Sequence, residues 1–399
     1  MKARPHLLFV SPRFLFPADE GGKIRSSNIL RELKGGRFHI TLASPAPPHV
    51  AQYSGSLTSI CDEFVCWPSA PRSRMRRFRD LLGRLPMSVA ADRSRAGRFA
   101  VRAAIGSGAD VVVTDFPHAA VLLPRSMDIP AILFTHNVEA EIYERHSKVS
   151  KGMWQWVWRR QARKMERFEG EVCVKHQAVI AVSSRDVSGL RMRYGVAASE
   201  IVTGVDLKYF STAPQRIVPT DGGTVVFTGV MDSAANIDCV NYFLKEIWPS
   251  VLKRRPKANA VIVGRNPPER LLALAREPAL RVRFTGFVDD IRVHVTSADV
   301  AVIPMRVGGG TRIKAFEAMA LGRPLVSTTV GVEGLGLVPG EHYLAADDSD
   351  AFARSIVLLL EDAALSRCLA ATGRALLEEK FTWKQVAQQF EEICLNQLS

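Results

Sequence analysis

One unit recurs along this chain: a short apolar run rich in β-branched residues, a turn carrying glycine, then a stretch whose apolar residues fall at helical spacing. The first-half runs are HLLFV (6–10), FHITLA (38–43), DEFVCW (62–67), DVVVT (110–114), AILFT (131–135) and AVIAVS (178–183). Those of the second half are TVVFT (224–228), NAVIV (259–263), RVRFT (281–285), DVAVI (299–303) and PLVST (324–328). Most are apolar throughout rather than alternating, as strands covered on both faces must be. Strand, turn and helix repeated in that order predict an α/β chain built on doubly wound parallel sheets.

Two such sets in 399 residues predict two domains, 1–205 and 206–382. Between them 203–223 is polar and rich in Pro, Gly and Asp, and reads as a linker. Gly229, Gly264 and Gly286 each end a strand of the second half directly. Ligands of open parallel sheets bind beyond the carboxyl ends of the strands, so these turns are expected to line a cleft between two facing Rossmann-like domains.

The net charge of +13 is unevenly placed: residues 1–205 hold 31 basic against 18 acidic side chains, whereas 206–399 hold 22 of each. Residues 71–102 alone carry ten Arg and two Asp. A surface for anionic partners, acidic lipid or nucleic acid, is the physical implication. No helix-turn-helix, paired RNP aromatics or zinc-finger spacing accompanies that charge, and nucleic acid is not expected. The six cysteines include no C-x-x-C pair, which leaves zinc ribbons and thioredoxin chemistry unsupported and fits a reducing cytoplasm. No run reaches the 18 apolar residues of a spanning helix, and Leu7–Val10 is shorter than a signal-peptide core.

The sharpest local signal is ADVAVIPMRVGGGTRIKAFEAMALGRPLVST, residues 298–328. A strand ends near Pro304, Gly308, Gly309 and Gly310 free the backbone, and Thr311 is placed to cap a helix with Ala315, Phe316, Met319 and Ala320 on its apolar face. Arg312 and Lys314 then fall in the first turn, where the helix dipole disfavours each cation by about 0.3–1 kcal/mol. Either a diphosphate reverses that sign, or both cations point into water. Glu317, one turn on, is placed to accept from ribose hydroxyls. Gly21 and Gly22 open a second such turn, with Lys23 and Arg25 following, although a lone glycine pair more often marks an ordinary turn. His136 and Glu139 lie just past a strand end, on the binding side of a doubly wound sheet. The histidines show no ligand spacing, so no metal is expected. In 74–85, Met75, Phe78, Leu82 and Leu85 line one helical face amid five arginines, as in a helix lying on lipid. The stripe Trp154, Trp158, Met165 and Phe168 is expected to be core.

In this order, an early GG turn, THN, AVIAVS, TGVDLKYF, VVFTGVMD, VIVGRNPP, FTGFVDDI and GGGTRIKAFEAMALGRPLVST resemble retaining family 4 glycosyltransferases of the GT-B fold. The resemblance covers nearly the whole chain and is closest in the second half. It implies a second domain that binds a nucleoside-diphosphate sugar: Phe287 and Val288 at the base, Glu317 at the ribose, and Gly229 with the 308–314 segment (Gly309, Gly310, Thr311, Arg312, Lys314) around the diphosphate. Gly21 and Gly22 would approach phosphates and acceptor, His136 the sugar, and the last helix (383–399) would return to the first domain. Two departures stand out. Gly309 replaces the first Glu of the family's Glu-(seven residues)-Glu, and Val230 stands where Arg is expected, with nothing basic before Lys245. Arg312 and Lys314 are expected to take over the missing diphosphate cations. The implied activity is retaining glycosyl transfer without metal or other cofactor, to a lipid-linked saccharide or other glycan of a cell-surface polysaccharide or glycolipid. The enzyme would be cytoplasmic, peripheral on the inner face of an anionic membrane. A nucleotide-sugar epimerase and a non-catalytic scaffold of the same fold are the competing readings. Base, sugar, acceptor, linkage and oligomeric state are not encoded legibly.

Overall fold

The computed structural model describes residues 4–69, 79–211, 222–307 and 313–398. They divide into two compact units, Met1–Thr203 with Trp383–Ser399, and Gly204–Thr382. The first unit holds strands β1 (His6–Val10), β2 (His39–Ala46), β3 (Glu63–Pro68), β4 (Val111–Asp115), β5 (Ala131–Phe134), β6 (Ala178–Ala181) and β7 (Ser199–Glu200). The second holds β8 (Thr224–Thr228), β9 (Asn259–Val263), β10 (Val282–Gly286), β11 (Val300–Ile303), β12 (Leu325–Ser327) and β13 (Leu344–Ala345).

The sheet orders are β3-β2-β1-β4-β5-β6-β7 and β10-β9-β8-β11-β12-β13. Each begins 3-2-1-4-5-6, and every pairing is parallel, for example Leu7 with both Ile40 and Val111. The doubly wound architecture expected from the apolar runs is therefore the one found, twice. Only β7 and β13 lacked a forecast run; they are two-residue edge strands with no apolar stretch to announce them.

Alternation within the runs shows why they are apolar throughout. Leu7, Phe9, Val111, Val113, Ile132 and Phe134 face one layer, with Ile29 and Leu30 of helix α1 (Gly21–Leu33). Leu8, Val10 and Val112 face the other, with Val101 and Ala104 of α2 (Arg95–Gly106). Burying each such side chain fully stabilises by about 1.5–3 kcal/mol. Helix α1 also packs against the last helix, Trp383–Asn396, whose Val386 and Phe390 complete the same layer.

Helices α3 (Glu139–Val149) and α4 (Gly152–Lys175) form an antiparallel hairpin after β5. Its base is closed by the fully buried Glu169, whose carboxylate accepts from the backbone N–H groups of Glu139 at 2.8 Å and Ala140 at 3.0 Å. Two orphan donors of the α3 N-terminus are thereby satisfied by another helix's side chain. Farther out, the Tyr143 and His146 rings meet Trp158 at 5.7 and 4.6 Å. The expected core stripe on α4 holds only in part: Met165 is buried and Trp158 and Phe168 are half-buried, but Trp154 is exposed. It lies one turn nearer the 150–151 turn than Trp158, which the α3 rings of Tyr143 and His146 meet. Of the lipid-helix candidate, 74–78 lie outside the described residues, and 79–82 are helical with Leu82 exposed.

Candidate functional site

In each sheet the strand order reverses beside the first strand, between β1 and β4 and between β8 and β11. The carboxyl edge at that reversal is where a doubly wound sheet leaves room for ligands.

In the first unit the edge is filled by a closed network. Asp115, the last residue of β4, accepts from Ser11 Oγ at 2.8 Å, Ser26 Oγ at 3.0 Å and His136 Nε2 at 2.7 Å. On the other side of the imidazole, Arg25 Nη1 lies 2.8 Å from His136 Nδ1, and Arg25 Nε donates to Thr203 Oγ1 at 3.1 Å. A guanidinium can only donate, so Nδ1 accepts and the ring proton sits on Nε2, facing Asp115. Burial holds the His136 pKa below its ordinary value despite Asp115, and Arg25 pushes it the same way as burial does. Burial likewise lowers the Arg25 guanidinium to about 10 against the pull of Asp186 and Asp115. His136 is thus a neutral, buried ring with both nitrogens engaged. The Phe116 ring stacks on it at 4.1 Å. Phe116 itself holds φ 64°, a conformation that costs a non-glycine residue about 1–3 kcal/mol. Its ring also explains Gly22: a Cβ there would stand 2.6 Å from Phe116 Cζ. Gly21, in contrast, has nothing within 4 Å of its Cβ position.

Beside this network, Tyr143 donates to Ser88 Oγ at 2.6 Å, and Ser88 is 3.0 Å from His118 Nε2. Burial, aided by Arg13, brings the His118 pKa down to about 4. Glu139 is raised to about 7 by burial and by Glu169. Both Lys23 and Arg25 lie in the opening turn of α1, as expected, but Lys23 pairs with Asp19 at 2.9 Å and Arg25 turns inward.

The second unit's edge is built from different groups. Its β8 ends at Gly229, and the following helix α6 (Ala234–Tyr242, with Ser184–Tyr194 as α5) carries Asn236. After β11 comes α7 (Ile313–Ala320), whose Ala315, Phe316, Met319 and Ala320 are buried as expected. Lys314 Nζ donates to Asn236 Oδ1 at 2.9 Å and lies 4.6 Å from the centre of the Phe227 ring. That bond spans the reversal between β8 and β11. One turn on, burial raises the Glu317 carboxyl to about 7, with Lys314 opposing. Its oxygens have no hydrogen-bond partner among the described residues. Gly264 is needed for backbone approach, since a Cβ would stand 1.9 Å from the Gly229 carbonyl oxygen. Arg265 follows it, 3.5 Å from Asp232, on the same edge. At the end of β10, Phe287 is exposed and Val288 half-buried. Gly309, Gly310, Thr311 and Arg312 lie outside the described residues. Among the described residues no group of three or more His, Cys, Asp or Glu is arranged to hold a metal, and no helix is long and apolar enough to cross a membrane.

Two family models match the chain: Glycosyltransferase Family 4 over residues 21–209, and Glycosyl transferases group 1 over 222–362. The second takes in the whole β8–β11 reversal, and the first takes in β4 and the helix after β1. The chain belongs to the family 4 glycosyltransferases. Phosphatidyl-myo-inositol mannosyltransferase of Mycobacterium leprae is 32% identical over 236 residues, covering 57% of this chain and 62% of that protein. The match thus spans less than two thirds of that relative's length. Sucrose-phosphate synthase from Thermosynechococcus elongatus has the same fold, with TM-score 0.68, 19% identity and 98% of each chain covered. So has Anabaena HepE, solved with UDP and glucose, at TM-score 0.65 and 14% identity, covering 98% of this chain and 99% of that one. Two Rossmann-like parallel-sheet domains of this order are the GT-B fold.

Within this family 4 member, sequence reading missed Asp115, Thr203 and Asn236. Asp115 carried a usable signal, a carboxylate ending an otherwise apolar run. Thr203 sat in a presumed linker, and Asn236 lacked any signal, because its role comes from a bond to a residue 78 positions away.

Proposed function

We propose that this chain transfers a sugar from a nucleoside diphosphate to an acceptor hydroxyl with retention at the anomeric carbon. The observation that carries the reading is the placement of Lys314 and Glu317 on one helix at the β8–β11 reversal, a cation and a carboxyl without a hydrogen-bond partner among the described residues, where doubly wound sheets bind nucleotides. In this reading Lys314, Arg312 and the start of α7 stabilise the departing diphosphate, Gly229, Gly309, Gly310 and Thr311 let it approach the backbone, and Glu317 accepts from the ribose. Phe287 and Val288 flank the base. Gly21, with open space above it, is the acceptor-side approach in the first unit. His136 acts by holding the strand-end network beneath the sugar in register, since it is buried and both its nitrogens are engaged. Because the positive field comes from side chains and the helix terminus, no metal is required.

The names of the mannosyltransferase relatives support a glycolipid acceptor, and the basic first half supports a peripheral place on an anionic membrane. A thermal-shift panel of UDP, GDP, ADP, CDP and dTDP tests the donor site. Ligand at about a hundred times its Kd adds about 2.7 kcal/mol of stability, enough to rank the bases. Product anomeric configuration by NMR, with and without acceptor, tests the chemistry. No shift with any nucleotide would overturn transfer in favour of a scaffold, and a rearranged sugar from donor alone would indicate an epimerase.

A further inference from the structure

The α3–α4 hairpin meets the strand-end site only at its base, and its far end carries a different chemistry. Helix α3 starts just past β5, at the carboxyl edge, and α4 runs back to begin β6. The 24 residues of α4 span about 36 Å, whereas the four residues of β6 span about 13 Å, so the turn at 150–151 stands well clear of the sheet. On that tip Met153 is 76% exposed, Trp154 65% and Trp156 61%. Leu82, 56% exposed, lies alongside: Arg160 reaches its carbonyl at 3.5 Å and places its guanidinium 5.8 Å from the Trp156 ring centre. Single exposed apolar residues are ordinary, but three within four positions on a projecting tip mark a surface that meets an apolar phase.

Charge identifies that phase. From 151 to 167 the chain has six basic residues and one acidic. Lys151, Arg159 and Arg163 have no ion-pair partner among the described residues. The same combination recurs on α2, where Arg95, Arg98 and Arg102 surround Phe99, 77% exposed, at a pocket of about 210 Å³. Both α2 and α4 contact the Pro117–Leu122 turn. A polyanion such as a nucleic acid would engage the cations and leave Met153 in water. A bilayer of acidic phospholipid engages both, because indole rings settle at the headgroup level and cations are drawn to the anionic surface.

We propose that the hairpin tip inserts Met153, Trp154 and Trp156 into the interfacial layer of an anionic phospholipid bilayer, with Lys151, Arg159 and Arg160 among the headgroups. The inference does not rest on glycosyl transfer, and its failure would leave that reading standing.

The test uses the full chain with vesicles of phosphatidylcholine, alone or with about 30% phosphatidylglycerol. Binding is read by co-sedimentation and by tryptophan emission. Trp67, Trp248 and Trp383 are buried, so a blue shift and quenching by brominated lipid report chiefly on the tip. The expected result is binding to the anionic vesicles, weakened at least roughly tenfold in Trp154→Ala/Trp156→Ala and in Arg159→Glu/Arg163→Glu, with circular dichroism and nucleotide binding unchanged. All four positions are solvent-facing, so these variants fold. Absence of binding to anionic vesicles would overturn the proposal. So would wild-type binding by the tryptophan variant, or retention on duplex DNA without vesicle binding.

Discussion

The two sheets share one topology, yet their reversal points are built in opposite ways. At β1–β4 the polar groups satisfy one another: Arg25, His136, Asp115, Ser11 and Ser26 form a buried chain of hydrogen bonds under the Phe116 ring. At β8–β11, Lys314 is steadied by Asn236 and the Phe227 ring, while the half-buried Glu317 carboxyl has no hydrogen-bond partner among the described residues. A network that is complete within itself holds backbone geometry, whereas a carboxyl with no hydrogen bond among the described residues is suited to a ligand. The same fold position therefore holds a closed polar network in one unit and the proposed donor site in the other.

The widest separation between the two is expected from Arg25→Ala, which strips His136 Nδ1 and Thr203 of their donor. Unfolding in urea should show a loss of about 3–5 kcal/mol, as breaking a buried charged network does. A cost under about 1 kcal/mol would mean that the network is not structural, and the contrast would dissolve. Arg312→Ala with Lys314→Ala should behave in the converse way. Stability should stay within about 1 kcal/mol, while nucleoside-diphosphate affinity by calorimetry falls more than roughly tenfold, given about 1.5–3 kcal/mol per charged hydrogen bond. Affinity retained within about twofold would remove the diphosphate from this helix.

A pH series sharpens the contrast further. Folded Glu317 keeps its proton up to about 7, whereas the unfolded group, at the ordinary 4.5, releases it earlier. Its contribution to stability is therefore complete below about pH 4.5 and is lost as the pH rises through about 7. Glu317→Gln should gain on the wild type between pH 5 and pH 8, by at most about 3 kcal/mol, in paired thermal melts. A flat difference would mean that Glu317 is ionised in the folded state. The smallest effects belong to the glycine pair. Gly22→Ala forces a Cβ to 2.6 Å from Phe116 and should cost about 1–3 kcal/mol. Gly21→Ala meets nothing within 4 Å and should change stability by less than about 1 kcal/mol, so any loss of transfer in that variant reports on ligand approach.

Much of this was legible in advance for a simple reason: strands covered on both faces must be apolar at every position, and continuous runs of that kind are easy to see. Every long strand was announced this way, while β7 and β13, two residues each at sheet edges, were not. Lys314 and Glu317 were conspicuous because a cation in a first turn and an acid on an apolar helix are each locally unfavourable. Arg25 was conspicuous for the same reason. Its place in an opening turn was legible, but only the packed sheet shows it turned inward to His136 and Thr203, 111 and 178 positions away. Within the α4 stripe only Trp154 departed from the expected core, since periodicity says which residues share a face and not whether another element covers all of it.

Sequence by itself determined the two parallel sheets, the strand-end glycines and the cationic helix start, because these follow from local spacing and backbone freedom. Tertiary structure alone decided which polar groups are completed by neighbours. That outcome depends on contacts between residues far apart in the chain, brought within about 3 Å only when the layers close, and no local pattern records such distances.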